Sequence, residues 1–294
     1  MNPLTHLLTT WAGLPSIDIT TLVTTITLPT IILAFLLNIT TAILRDYYLF
    51  LSLGPGGTPS SPVGYIRIKF LSIFALRDPF TPVPVPSHFK QQAGRLSKLS
   101  PRNGDRPTVR GIAPHRQTNQ KAPRECFNEL NSQIRTLSNR HPDFLIQKTS
   151  CLEKHGPGLF VVNAQHLTPH CAGEVCHAHP SDGSMHLTLH PADAAIVLRS
   201  GWGERHPLGS GGWLKKFVPA GFILVYAPRT KAEVEIAMKI VRAAVWWVGG
   251  MEVGVQQKAG EETVEVKYGA VREREIVAKD WVPACPDTNQ MIMS

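Results

Sequence analysis

The longest unbroken hydrophobic run lies near the N-terminus, where no charged residue occurs between Asp18 and Arg45. As a helix rising 1.5 Å per residue, the 26 positions Ile19 to Leu44 would reach about 39 Å, more than the roughly 30 Å of a bilayer's hydrocarbon core. Its threonines can return their hydroxyls to the helix backbone, and Pro29 would kink such a span without forbidding it. Residues 1–18 contain no Lys or Arg, so the basic n-region of a cleaved signal is missing. The pattern predicts a short flank over 1–18 and a transmembrane anchor over 19–44. Arg45, Arg67, Lys69 and Arg77 follow the span, a positive-inside bias that favours a cytosolic main domain, taken to lie at the endoplasmic reticulum.

Beyond the anchor the pattern changes character. Residues 64–76 are apolar with Arg67 and Lys69 set among them, which suits either a segment lying in the headgroup plane or a core element. From His88 to Arg124 there are nine basic residues, one acid and prolines at 101, 107, 114 and 123, which predicts an extended basic wrap. Residues 45–122 are therefore assigned to a juxtamembrane Pro/basic-rich region. Phe127, Leu130, Ile134 and Leu137 then recur at helical spacing, predicting an amphipathic helix over 124–139. Phe144 to Ile146 reads as a strand, and Cys151 to Val162 as a hairpin turning on Gly156-Pro157-Gly158. Met185 to His190 alternates, with Met185, Leu187 and Leu189 facing one way and His186, Thr188 and His190 the other. A short helix is expected over 192–199 and a buried strand over Gly221 to Tyr226. Thr230 and Glu233 have capping-box spacing ahead of the stripe Val234, Ala237, Met238, Val241, Val245 and Val248. This order of hairpins and helices predicts an α+β domain over 123–250, a mainly antiparallel sheet with appended helices, preceded by one N-terminal transmembrane helix. A tail over 251–294 holds one strand candidate, Thr263 to Tyr268.

Composition narrows the partners. The net charge of +8 permits nucleic-acid binding, yet no helix-turn-helix, RNP-like strand or C2H2 spacing is found, so a basic surface near a membrane is preferred and no nucleic acid is expected. Five cysteines leave one unpaired under any disulfide scheme, which fits a reducing compartment. Cys171 and Cys176 beside His170 and His177 match no common zinc-ligand spacing.

Histidine carries the chemistry. Seven of the twelve fall between His166 and His206. An extended His177-Ala178-His179 puts two imidazoles on one side, and the turn-rich Pro180 to Ser184 could fold His186 back beside them. Such a patch could supply general bases, or bind a metal with Glu174 or Asp182 completing the set, or consist of histidines that only hydrogen-bond one another. A second constellation is Gly201-Trp-Gly-Glu-Arg-His-Pro-Leu208. There Trp202 offers an apolar wall, Arg205 an anion partner and His206 an acid or base; alternatively Glu204 and Arg205 pair at the surface and Trp202 plugs the core. Tyr226-Ala-Pro-Arg229 adds a phenol and a guanidinium.

In order and spacing, His177-Ala-His179, Ser184-Met-His-Leu-Thr-Leu189, Gly201 to Leu208 and Tyr226 to Arg229 resemble the core of the fungal luciferase domain. Arg45-Asp-Tyr-Tyr, Gly54-Pro-Gly-Gly57, Gly64-Tyr-Ile66, Leu71 to Phe74, Asn103 to Pro107 and Arg116-Gln117 are similar to its N-terminal half. The resemblance implies an N-terminally anchored oxygenase that adds O2 to an electron-rich 2-pyrone, 3-hydroxyhispidin, with no metal or flavin, after which the adduct loses CO2 and leaves an excited product. Carried onto this chain, it makes His177, His179, His186 and His206 candidates for deprotonating and holding the enol. Arg205 and Arg229 would stabilise the enolate or peroxide charge, with Trp202, Glu204 and Tyr226 lining the substrate. The linker from His179 to His186 is one residue shorter than in the mushroom enzymes and the tail is longer, departures that favour a non-luminous relative acting on another polyphenol or polyketide in secondary metabolism. The rival expectations are a His-ligated metal-dependent dioxygenase and a non-catalytic, membrane-tethered protein that binds a small molecule.

Overall fold

The computed structural model describes residues 19–162, 173–209, 218 and 221–254, and the chain divides into two compact units between Leu49 and Phe50. The predicted strand at 263–268 and the residues His166, His170 and Cys171 lie outside the described residues.

The first unit is built on helix α1 (Ile19–Ser52), which begins where the uncharged run begins and carries Pro29 within it. It runs eight residues past the predicted end, because Tyr47 to Leu51 continue the apolar run beyond Arg45 and Asp46. Thr41 donates its hydroxyl to the Leu37 carbonyl at 2.7 Å and Asn38 its amide to Ala34 at 2.8 Å, so the polar side chains are satisfied within the helix. Thr27–Ser52 is long and apolar enough to cross a membrane, and Ile31, Leu33 and Phe35 are exposed along it.

The second unit starts with α2 (Pro62–Ser72), capped by Ser61, whose side chain accepts the Gly64 N–H at 3.2 Å. Gly64, Ile68 and Leu71 are buried, whereas Val63, Ile66, Phe70 and Ile73 stay exposed. The segment is thus partly a core element and partly an apolar surface, and neither of the two expectations is met alone. Then come β1 (Val109–Gly111), β2 (His115–Gln117), α3 (Arg124–Arg140), β3 (Leu145–Thr149), β4 (Pro157–Val161), β5 (Glu174–Ala178), β6 (Met185–Thr188), α4 (Pro191–Arg199), β7 (Gly203–Arg205), β8 (Phe222–Val225) and α5 (Lys231–Gly249).

β1 and β2 form a two-stranded sheet, and the other six form an antiparallel sheet in the order β3-β4-β5-β6-β8-β7. This is the α+β, mainly antiparallel architecture that the pattern predicts. The hairpin expected within 151–162 has its arms displaced: β3 pairs with β4, and Cys151 to Lys154 form the turn, not a strand. α3 and α5 pack on each other and on one face of the sheet, burying Leu130, Ile134, Leu187, Ile223, Met238 and Val241. Burial of this kind stabilises by roughly 25 cal/mol per Å² of apolar surface removed from water.

At the start of α5, Thr230 accepts the Glu233 N–H at 3.2 Å, the first half of the expected capping box. The other half is redirected, because the Glu233 carboxylate takes the Arg229 backbone N–H at 2.7 Å and its guanidinium as well. Residues 50–122 fall in the same compact unit as the sheet, and residues 112–117 are hydrogen-bonded to Asp182, His206 and Ala227 of the sheet region.

Candidate functional site

Strand register decides which residues meet. Across the sheet His177 stands opposite His186, His186 opposite Leu224, and Leu224 opposite Glu204. Directly paired residues share a face. That row therefore lies on the face turned away from α3 and α5, while Cys176, Leu187, Ile223 and Arg205 make the adjacent row on the helical face. His179, two residues beyond His177, returns to the first face by the period of the strand.

Polar side chains on a sheet face must be covered by polar partners or water. Here the cover is the β1–β2 hairpin. Gln117 accepts the Ala227 N–H at 3.0 Å, and His206 donates from Nε2 to the Ile112 carbonyl at 2.9 Å. His115 brings its Nδ1 to 3.1 Å from His186 Nε2 and its Nε2 to 3.5 Å from Glu204 Oε1. Five imidazoles are thereby gathered in a buried array, with His115, His177, His179, His186 and His206 each at most 4% exposed. Phe222 stacks on His186 with ring centroids 4.9 Å apart and forms the apolar wall of the array.

Hydrogen-bond partners set the tautomers. His177 Nδ1 is 2.7 Å from the Glu174 carboxylate, which can only accept, so that nitrogen carries a proton and Nε2 is the lone-pair nitrogen of the neutral ring. Ser184 spends its hydroxyl proton on Asp182 at 2.8 Å, so its oxygen accepts from His179 Nδ1 at 2.9 Å and His179 Nε2 also keeps a lone pair. Both free lone pairs converge on one atom. His186 Nδ1 is 3.0 Å from His179 Nε2 and 3.3 Å from His177 Nε2. His206 is different, since its Nδ1 accepts the Leu208 N–H at 3.2 Å while its Nε2–H is given to Ile112. Both of its nitrogens are committed to backbone.

Burial, with further unfavourable contributions from neighbouring imidazoles, holds His179, His186 and His206 well below the usual imidazole range, so all three are neutral at physiological pH. Burial alone would push the Glu174 carboxyl up, but hydrogen bonds from His177, Cys151 and Ser150 hold it below the ordinary carboxylate range. Burial pushes the Asp182 carboxyl up despite its hydrogen bonds from Ser184 and Gln117. Arg116 forms a buried ion pair with Glu153 beside this array.

The other residues expected at the site divide. Glu204 reaches it, and Tyr226 reaches Glu204, donating its hydroxyl at 3.0 Å. Arg205 does not join the imidazoles. Its alternation in β7 turns it to the helical face, where it donates to Gly209 at 2.7 Å and to Thr81 at 3.3 Å. Arg229 lies outside as well, clamped to Glu233 and donating to the Asn103 carbonyl at 2.9 Å. Trp202 plugs the hydrophobic core, with its indole N–H on Ser100 at 2.6 Å. Cys176 is a buried free thiol on the helical face, away from the array.

The residue that sequence reasoning missed is His115. Its one signal was indirect, the neighbouring Arg116-Gln117. Nothing in a basic, proline-rich stretch says that a single histidine will cover a sheet 70 residues away.

Two comparisons bear on what such an array is for. Residues 172–244, which contain the array except His115, match the family model of the luciferase domain. The chain is 30% identical to a luciferase of Armillaria ostoyae over 219 residues, covering 69% of this chain and 80% of that one. It is 29% identical to a luciferase of Armillaria gallica over 225 residues, covering 72% of this chain and 83% of the relative. It is 28% identical to a luciferase of Neonothopanus nambi over 218 residues, with coverage of 69% and 80%. No solved structure matches the chain.

Proposed function

This chain belongs to the fungal luciferase family, and from that premise we propose that it is a membrane-anchored, luciferase-like oxygenase of an electron-rich hydroxylated pyrone or polyphenol. The observation that carries this reading is the convergence of the His177, His179 and His186 lone pairs in a buried site walled by Phe222. The substrate gives up its acidic enol proton to bulk water as it enters the site and is held as the enolate. Its electron-rich ring carbon supplies both electrons of a new C–O bond to O2, the distal oxygen becomes a peroxide anion, and a returned proton neutralises it. For a 3-hydroxyhispidin-type substrate the adduct then loses CO2. A dry site favours such charge transfer because developing anions meet oriented dipoles there and not screening water.

The roles divide as the geometry divides. His177, His179 and His186 hold the reacting enolate, directly or through what they bind. His206, with both nitrogens engaged, positions the loop that carries it, and Glu204 fixes His115 and Tyr226. Arg205 and Arg229, removed from the array, hold backbone segments in place. Membrane attachment through α1 fits an apolar substrate. The exposed Val63, Ile66, Phe70 and Ile73 of α2 and its flank are apolar enough to meet a headgroup layer, and the main domain is read as cytosolic at the endoplasmic reticulum.

The test is oxygen uptake and light output by the detergent-solubilised chain with a panel of hydroxylated pyrones and catechols. Saturable O2 consumption, lost in His186→Ala, is the expected result. A folded protein that consumes no O2 with any of them, yet binds one, would make this a binding protein and refute the reading.

A further inference from the structure

We propose that His177 Nε2, His179 Nε2 and His186 Nδ1 are the ligands of a single divalent first-row transition-metal ion. This departs from the metal-free route that the resemblance implies. It deepens the oxygenase reading and rests on it only for what the ion does in turnover.

Separation is the first argument. Nitrogens bound to one ion at about 2.0–2.1 Å stand roughly 2.9 Å apart at right angles and about 3.4 Å apart at the tetrahedral angle. The two measured separations are 3.0 and 3.3 Å. His177, His179 and His186 each place a ring nitrogen within 4.8 Å of the other two.

Proton bookkeeping is the second. His177 Nε2 and His179 Nε2 are both acceptors, and both face His186 Nδ1. One N–H there could satisfy only one of them well, and the other would be a buried lone pair with no donor. If His186 instead carries its proton on Nε2, it donates to His115 Nδ1, and His115 Nε2–H is directed at Glu204. The ring protons then all point away from the group, the longest of their contacts being His115 Nε2 to Glu204 Oε1 at 3.5 Å, and three lone pairs are left pointing at one another. Such an arrangement is repulsive unless a cation sits among them.

The surroundings give the third argument. Metal-binding histidines hand their second N–H to a carboxylate or other acceptor, which fixes the ring and raises its basicity. Each of these three does so: His177 to Glu174, His179 through Ser184 to Asp182, and His186 through His115 to Glu204. Three carboxylates stand behind three imidazoles. The alternative trio of His115, His186 and His206 also falls within 4.8 Å. It is rejected because both His206 nitrogens are occupied by backbone.

Three protein ligands leave coordination positions for exogenous oxygen donors. Within the oxygenase reading, the enol oxygen of the substrate would take one, and the ion's charge would stabilise the enolate that gives its electrons to O2. Imidazole ligands of this kind suit iron(II), zinc and cobalt(II) alike.

The experiment uses the full chain in detergent, purified through a tag without histidines. Metal content is measured by mass spectrometry, and the chelator-treated protein is titrated with Co2+ while visible d–d absorption is followed. The expected result is about one ion per chain and a saturating Co2+ spectrum. His179→Ala should abolish that spectrum, while Glu174→Gln weakens Co2+ binding by about 10- to 100-fold. His206→Asn, with circular dichroism confirming its fold, should keep one equivalent. Folded wild-type protein that takes up none of Co2+, Zn2+ or Fe2+ would overturn the proposal, as would a Co2+ spectrum unchanged in His179→Ala. Oxygen uptake is measured in parallel with the chelator-treated protein. Undiminished turnover without metal sinks the ion's role in turnover and leaves the oxygenase reading standing; metal bound without any turnover does the reverse.

Discussion

Asp182 ties the imidazole array to its cover, and replacing it should unfold that arrangement before it unfolds the sheet. Its carboxylate accepts the Gln117 N–H at 2.6 Å, the Ser184 N–H at 3.3 Å and the Ser184 hydroxyl at 2.8 Å, and it is 3% exposed. Gln117 is the last residue of β2, so the first of these bonds fixes the covering hairpin to the β5–β6 turn. Hydrogen bonds to a charged acceptor contribute about 1.5–3 kcal/mol each, and a buried donor left without a partner costs about 1–3 kcal/mol. Asp182→Ala strands the Gln117 and Ser184 N–H groups together. Because the 3.3 Å bond is weak and water can enter a space vacated by a carboxylate, the expected loss is about 3–5 kcal/mol and not the full sum. Asp182→Asn keeps one acceptor oxygen and should lose about half as much. The measurement is urea unfolding of the full chain in detergent, followed by tryptophan fluorescence, with the Co2+ spectrum recorded on the folded variants. Asp182→Ala within 1 kcal/mol of wild type would refute the reasoning, because the hairpin would then be held by something other than this carboxylate.

Gly183, in the same turn, has φ +81°, and a Cβ added there would meet the Ala122 Cβ at 2.3 Å. Gly183→Ala should therefore cost about 1–3 kcal/mol in the same unfolding assay. Leu187 is fully buried between the sheet and α5, and Leu187→Ala should lower stability by about 2–5 kcal/mol while leaving far-ultraviolet circular dichroism unchanged. Removing the Thr230 cap in Thr230→Ala should cost about 1 kcal/mol. Burial would raise the Glu233 carboxyl, but hydrogen bonds from Arg229 outweigh it and hold the group below its usual range. Its contribution is thus present above the unfolded carboxyl value, near 4.3, and is lost as pH falls through the lower folded value. Arg229→Ala should flatten the stability loss measured by thermal melts between about pH 5 and pH 3.

What the chain's order of residues settled by itself were the features that depend on near neighbours. An uncharged run is apolar wherever it is placed, so α1 was legible, although its end was not, because apolar Tyr47 to Leu51 absorb two charges without stopping the helix. Alternation in Met185 to His190 and the stripe from Val234 to Val248 are local periodicities, and they located β6 and α5 within a residue or two. The convergence of His177, His179 and His186 was also readable, since a period of two and a short turn bring them together.

Tertiary structure decided what depends on register and cover. Arg205 and His206 are adjacent in sequence and equally plausible as partners of the imidazoles, but pairing of β7 with β8 sends Arg205 to the helical face. The pattern of a three-residue strand is too short to say which side is which. His115 reached the array only because β1–β2 folds back across a polar sheet face. Long-range closure of that kind leaves no periodicity in the sequence, because the partner of each buried polar group is chosen by the fold and not by its neighbours in the chain.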